Sequence, residues 1–136
     1  MRKTIDVAAA VIQKDGLVMV ARRAEGEDLE QKWEFPGGKI EPDETPEECL
    51  KRELYEEFTI TVQVKKFIAE NLHHYPDKSI RLIAYEVVWV SGDFVLRVHD
   101  KIDWVTPDAV LTKNMAAADI PVARVLCTQS WDTNRC

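Results

Sequence analysis

Between residues 45 and 58 the chain carries the segment whose conformation depends least on anything distant. Thr45-Pro46-Glu47-Glu48 reads as a helix start: a threonine to cap, a proline at the first helical position, and a glutamate that closes a capping box. Leu50, Leu54 and Phe58 then recur at a spacing of four, one apolar stripe on an otherwise polar cylinder. A helix with a single stripe needs a surface to lie on, so the segment predicts a helix over 46–58 packed against a sheet.

The rest of the chain supplies that sheet. Residues 4–12 and 17–21 are β-rich runs about the turn Lys14-Asp15-Gly16, which predicts a hairpin. Residues 60–68 and 80–90 read as longer strands, with Tyr75-Pro76-Asp77-Lys78-Ser79 as turn material and Ser91-Gly92-Asp93 as a break. Asp103-Trp104-Val105 reads as a short strand, and 119–126 as a second helix with Asp119 at or near its N-cap and Pro121 in its first turn. A length of 136 residues with 46% hydrophobic content is that of one domain. We expect that domain over 1–127 and a loosely held polar tail over 128–136.

Charge and cysteine content narrow the partners. A net charge of -6 leaves no broad positive field for polymeric nucleic acid or anionic membrane. Residues 1–12 carry no leader-like pattern, and Cys49, Cys127 and Cys136 show no C-x-x-C spacing. The expectation is a cytoplasmic protein, monomer or homodimer, with no membrane partner.

Glu53, Glu56 and Glu57 share a sector of roughly 100 degrees on the predicted helix. Glu53 opposes both others at i,i+3 and i,i+4, and each like-charged pair costs about 0.2–0.5 kcal/mol in an isolated helix. The three also crowd the helix end where the dipole favours cations. Upstream, Trp33-Glu34-Phe35-Pro36-Gly37-Gly38-Lys39 contains two glycines that let a backbone carbonyl turn towards the helix. Carboxylates and a carbonyl are hard oxygen donors, suited to Mg²⁺ or Mn²⁺ that keeps waters and bridges phosphates. On residue types alone, a solvated acidic face accounts for the same carboxylates.

Gly38, Glu44, Arg52-Glu53-Leu54, Glu56-Glu57 and Ile60 follow the pattern G-x5-E-x7-R-E-U-x-E-E-x-G-U, and on it the chain resembles the Nudix hydrolases. The resemblance implies an α/β/α sandwich around a mixed central sheet. It also implies hydrolysis of a nucleoside triphosphate between the α- and β-phosphates, releasing the monophosphate and pyrophosphate. Carried onto this chain, Glu53, Glu56, Glu57 and the Gly37 carbonyl would hold Mg²⁺, or Mn²⁺ in its place. Glu53 is the first candidate for general base, Glu56 stands beside it, and Arg52 would orient the carboxylates. A narrower likeness, carried by residues 33–39, Glu41-Pro42-Asp43-Glu44 and Ala118-Asp119-Ile120-Pro121, is to the MutT-like subgroup and its CTP pyrophosphohydrolase members. It implies CTP, dCTP or modified pyrimidine triphosphates as substrates. Nucleotide-pool sanitising of 8-oxo-dGTP and a non-catalytic nucleotide-binding module are the alternatives.

Five residues are expected at the substrate. Arg23 would meet a phosphate or base edge, with a plain surface arginine as the competing reading. Trp33 and Phe35 adjoin the double glycine, Lys78 would donate to a base oxygen, and Asp119 would read the base unless it serves only as a helix cap. Two departures from the pattern carry expectations of their own. Thr59 replaces the helix-ending glycine, and a β-branched residue resists left-handed backbone, so a differently shaped exit is expected. Where many relatives place a further glutamate the chain has Val98-His99-Asp100, with Asp100 as the substitute unless the site manages without one. Cys49 is expected to be a small residue under a close loop, His73 and His74 rim or surface residues, and Trp89 and Trp104 core.

Overall fold

Strand β1 (Lys3–Lys14) is buried on both faces through Ala8, Ala9, Ala10, Val11 and Ile12. An uninterrupted apolar run of this kind needs a covering layer on each side. The computed structural model, which describes residues 3–128, supplies both layers. Ala8, Ala10 and Ile12 pack with Leu50, Leu54 and Phe58 of helix α1 (Pro46–Phe58), while Ala9 and Val11 pack with Val122, Ala123 and Leu126 of helix α2 (Ile120–Thr128). Successive strand residues point to opposite faces, and the helices take one set each. Each fully buried Leu or Phe of α1 contributes on the order of 1.5–3 kcal/mol.

The other strands are β2 (Leu17–Arg23), β3 (Trp33–Glu34), β4 (Gly37–Lys39), β5 (Thr61–His74), β6 (Lys78–Ser91) and β7 (His99–Val105). They form a mixed sheet in the order β3-β2-β1-β6-β5, with β4 on β1 and β7 on β2. β1 runs parallel to β6 and antiparallel to β2 and β4. It pairs with β2 only at Gln13 and Lys14, and gives Val7, Ala8 and Ala9 to β4. β1 and β2 therefore splay apart, and residues 33–39 fill the fork.

α1 has the expected bounds, with Thr45 and Glu48 completing the capping box at 3.1 and 2.9 Å. Its exit does not have the unusual shape expected from Thr59. That residue adopts the left-handed conformation of a glycine cap, φ 60° and ψ 38°, and donates its backbone N–H to the Tyr55 carbonyl. Left-handed backbone costs a residue with a Cβ about 1–2 kcal/mol. The offset comes from Arg97, whose Nη1 donates to Thr59 Oγ1 at 2.6 Å and to the Glu56 carbonyl at 3.2 Å. Arg97 also places a cation at the helix end where the dipole is negative.

Other boundaries moved outward. Lys78 and Ser79 are strand residues rather than turn, because Tyr75 N–H bonds the Lys78 carbonyl and closes the hairpin over 75–77. β7 begins at His99, since β2 offers it partners from Val18 to Arg23. A 3₁₀ turn, Ala117–Asp119, precedes α2, and Asp119 turns a buried side chain inward. Trp89 and Trp104 pack in the layer beside α1. Residue 128 closes α2, and the remainder of the expected tail lies outside the described residues. No helix among the described residues is long and apolar enough to cross a membrane.

Candidate active site

Arg52, on α1, gathers the carboxylates. Its Nε and Nη2 donate to Glu44 Oε2 and Oε1 at 2.7 and 2.9 Å, while Nη1 donates to Glu53 Oε1 at 2.7 Å and to Glu56 Oε1 at 3.1 Å. Nη2 also meets the Lys39 carbonyl at 3.2 Å, which ties the end of β4 to the helix. The guanidinium holds Glu44 down at about 2, helped by the Glu41 backbone N–H. The like-charge conflict anticipated on α1 is thus relieved at Glu53 and Glu56 by an arginine within the same helix. Glu44, which the sequence marks only as part of the pattern, is the anchor of the fork.

The double glycine serves space rather than backbone freedom, since neither residue adopts positive φ. A Cβ on Gly37 would run into the Ala8 carbonyl, and one on Gly38 into the Glu53 carboxylate. Cys49, fully buried, sets its Sγ 3.4 Å from the Gly38 carbonyl, the close loop approach expected of it. Burial pushes its thiol up to about 12, so it stays a neutral donor.

Glu57 lies apart from the fork. Burial pushes its carboxyl up to about 9, reinforced by Glu53 beside it and by the Glu34 charge, and its Oε1 has no hydrogen-bond partner. Across from it stands His99, whose side chain is fully buried, with Nε2 2.7 Å from Glu34 Oε2 and Nδ1 3.9 Å from Glu57 Oε1. The imidazole stacks on Phe58 at 5.1 Å. Asp100 does not substitute for the missing glutamate: it faces outward in a two-bond pair with Arg22 at 2.9 and 3.2 Å. Neighbours on a strand point to opposite faces, so β7 sends His99 in and Asp100 out. Sequence reading missed His99 and Glu34, which meet only through tertiary structure.

Among the described residues no three His, Cys, Asp or Glu side chains stand close enough to cage a metal by themselves. Hard oxygens with one buried and unpartnered, at Glu57, nevertheless fit a divalent cation that takes one or two carboxylates and completes its shell with water and phosphate.

Beside these residues opens a cavity of about 350 Å³. Arg23, Phe35, Gly37, Lys78 and Asp119 line it, together with Glu34 and Tyr75. Trp33 does not line it: the ring is buried in the core beneath Lys113, whose Nζ lies 4.4 Å from its centroid. Arg23 contacts Glu34 at 3.4 Å and the Asp28 carbonyl at 3.0 Å, and Lys78 pairs with Asp28 at 3.3 Å across the cavity wall. Asp119 is 5% exposed, and burial, with the Glu34 charge, raises its carboxyl well above the usual range. Its neighbour Ala118 is gripped on both sides: Ala118 N–H donates to Tyr75 Oη at 3.2 Å, and the Ala118 carbonyl accepts from Asn71 Nδ2 at 3.2 Å.

A mixed sheet between two helical layers, with the acidic helix end set against a double-glycine strand, defines the Nudix hydrolase class, and the chain belongs to the Nudix family: the NUDIX domain matches residues 2–126. It is 37% identical over 120 residues to the CTP pyrophosphohydrolase of Escherichia coli K12, covering 88% of this chain and 89% of that protein. It is 40% identical over 95 residues to the 8-oxo-dGTP diphosphatase of Haemophilus influenzae, with 68% and 70% covered. The solution structure of the E. coli ORF135 protein superposes with a TM-score of 0.83 at 33% identity, over 96% of each chain.

Proposed function

We propose that the chain is a Mg²⁺-dependent pyrophosphohydrolase that converts CTP or dCTP to the monophosphate and pyrophosphate, working in the cytoplasm as a monomer or homodimer. The observation that carries the base assignment is Asp119, buried in the cavity wall with its carboxyl raised well above the usual range. A neutral carboxylic acid both donates and accepts. It complements the adjacent N3 acceptor and N4 amino donor of cytosine with two bonds, whereas an ionised carboxylate would suit the paired ring N–H and amino donors of guanine. Phe35 offers an apolar surface to the base, and Lys78 a donor to its oxygen.

At the other end, Gly37, Gly38, Lys39 and Arg23 line the part suited to phosphates. Glu53, Glu56, Glu57 and the Gly37 carbonyl would hold the divalent metal, which when bound neutralises polyphosphate charge and acidifies a water. Arg52 keeps Glu53 in one orientation through the 2.7 Å bond, and Glu53 takes the proton of the attacking water. Arg23 steadies the triphosphate for in-line attack by a contact that Glu34 holds ready.

The second reading, 8-oxo-dGTP hydrolysis, is favoured by the Haemophilus influenzae relative. Pyrophosphate release measured with Mg²⁺ and a panel of CTP, dCTP, 5-methyl-dCTP, dGTP and 8-oxo-dGTP separates the two. Cytidine nucleotides should give the highest kcat/KM, and a hundredfold preference for 8-oxo-dGTP would overturn the cytidine assignment.

A further inference from the structure

The pair His99 and Glu57 presents two buried polar atoms that face each other. Glu57 Oε1 and His99 Nδ1 are both without a hydrogen-bond partner, at a separation of 3.9 Å. The other ring nitrogen is committed, because Nε2 lies 2.7 Å from Glu34 Oε2 and a carboxylate can only accept, which puts the proton on Nε2. Nδ1 is then left with an uncommitted lone pair facing Glu57 Oε1 across a distance too long for a hydrogen bond. Orphaned buried polar atoms are rare, and two that face each other beyond hydrogen-bond reach call for a third group that meets both.

We infer that His99 Nδ1 is a nitrogen ligand to a divalent cation held with Glu57, and that the site takes Mn²⁺ in preference to Mg²⁺. Two ligand bonds of about 2.1 Å each span the gap without displacing either atom. The Glu34–His99 bond supplies what a ligating imidazole normally has, a carboxylate on its second nitrogen that fixes tautomer and ring plane. Phe58 stacked on the ring face and complete burial of the side chain remove the remaining freedom. Imidazole is a softer donor than carboxylate or water, so its presence shifts selectivity from Mg²⁺ towards Mn²⁺. His99 Nδ1 and Glu57 fill two positions and leave the others to further oxygen donors. Through Glu34 the same imidazole is linked to Arg23 in the cavity wall, so metal and phosphate groups share one buried chain of contacts.

The inference rests on the reading that metal binds beside Glu57, and the test separates the two. Mn²⁺ alone is added to the full-length protein, and electron spin echo envelope modulation reads whether a nitrogen-14 nucleus couples to the bound ion. A His73→Gln/His74→Gln variant serves as the parent, which leaves His99 as the single histidine. One directly bound imidazole nitrogen is expected. His99→Gln in that parent should abolish the coupling and raise the Mn²⁺ dissociation constant about tenfold or more, with the Mg²⁺ constant changed less than threefold. Bound Mn²⁺ without nitrogen coupling in the parent overturns the assignment of His99 while sparing the metal reading, whatever the stability of the His99 variant. Absence of any Mn²⁺ binding overturns both, and equal weakening of the two metals by His99→Gln overturns the selectivity.

Discussion

The Arg52 guanidinium and the Glu44 carboxylate meet edge to edge, with parallel bonds of 2.7 and 2.9 Å, and the third nitrogen of the same guanidinium reaches Glu53 at 2.7 Å. Glu44 belongs to the loop before α1, so the fork fixes the arginine from outside the helix and the arginine fixes the carboxylate inside it. Lysine keeps the charge but has no planar fork. Arg52→Lys should therefore lower kcat on the order of a hundredfold with KM changed far less, since positioning errors near an ångström carry that penalty. Steady-state kinetics beside a melting curve checks this, and an unaltered kcat would remove Arg52 from the positioning of Glu53.

Stability should depend on pH through Glu57. Its carboxyl is raised from an ordinary 4.5 to about 9, so the folded protein holds a proton that the unfolded chain gives up. The linked stability is complete below the unfolded value and is lost as pH climbs from there through about 9. Glu44 has the opposite sign, but its contribution fades only as pH falls towards about 2. The metal-free protein should therefore melt several degrees higher at pH 5 than at pH 8, and Glu57→Gln should flatten that difference. Millimolar Mg²⁺ or Mn²⁺ at pH 8 should restore the melting temperature of the native sequence by binding the ionised form. Thermal melts across pH with a chelator and with metal test all three statements.

Base selection should follow the protonation of Asp119. Its carboxyl is raised well above the usual range and in the protonated form presents a donor and an acceptor, and an asparagine amide presents the same pair permanently. Asp119→Asn is expected to keep the ranking of cytidine over guanine nucleotides, whereas Asp119→Ala should lower kcat/KM for CTP at least about tenfold, the loss that goes with unpaired polar groups on a buried base edge. A ranking that survives Asp119→Ala would leave this residue a structural one.

Tyr75→Phe tests how Asp119 is placed. The variant removes the oxygen that accepts from Ala118 N–H while leaving the ring against His73. KM for the preferred nucleotide should rise several-fold with kcat little altered, because the carboxylates proposed for catalysis belong to another element, α1. A proportional fall in kcat would instead indicate a general loosening of the cavity.

Thr59 and Arg97 should behave as a coupled pair. Thr59→Gly relieves left-handed strain of about 1–2 kcal/mol but gives up the hydroxyl that Arg97 meets at 2.6 Å. Stability should change little in that variant. Arg97→Ala should destabilise the native sequence by about 1–2 kcal/mol, and less in combination with Thr59→Gly. Denaturant unfolding of the four proteins measures the coupling, and strict additivity would show that Arg97 does not support the cap.

The amino-acid sequence by itself determined the elements and chemistry that rest on near neighbours: the capping box of Thr45 and Glu48, the stripe of Leu50, Leu54 and Phe58, and the crowding of Glu53, Glu56 and Glu57. Interactions three and four residues apart are written in the spacing. Tertiary structure alone decided that Trp33 and Phe35 both enter the core and that only Phe35 also lines the cavity. It alone brought His99 to Glu34 across 65 positions of chain, turned Asp100 out to Arg22, and set Arg97 under the cap at Thr59. It also enclosed Asp119, and so raised that carboxyl well above the usual range. Burial and the charges across a site depend on which distant segments share a volume, and residue spacing along one element contains no term for that.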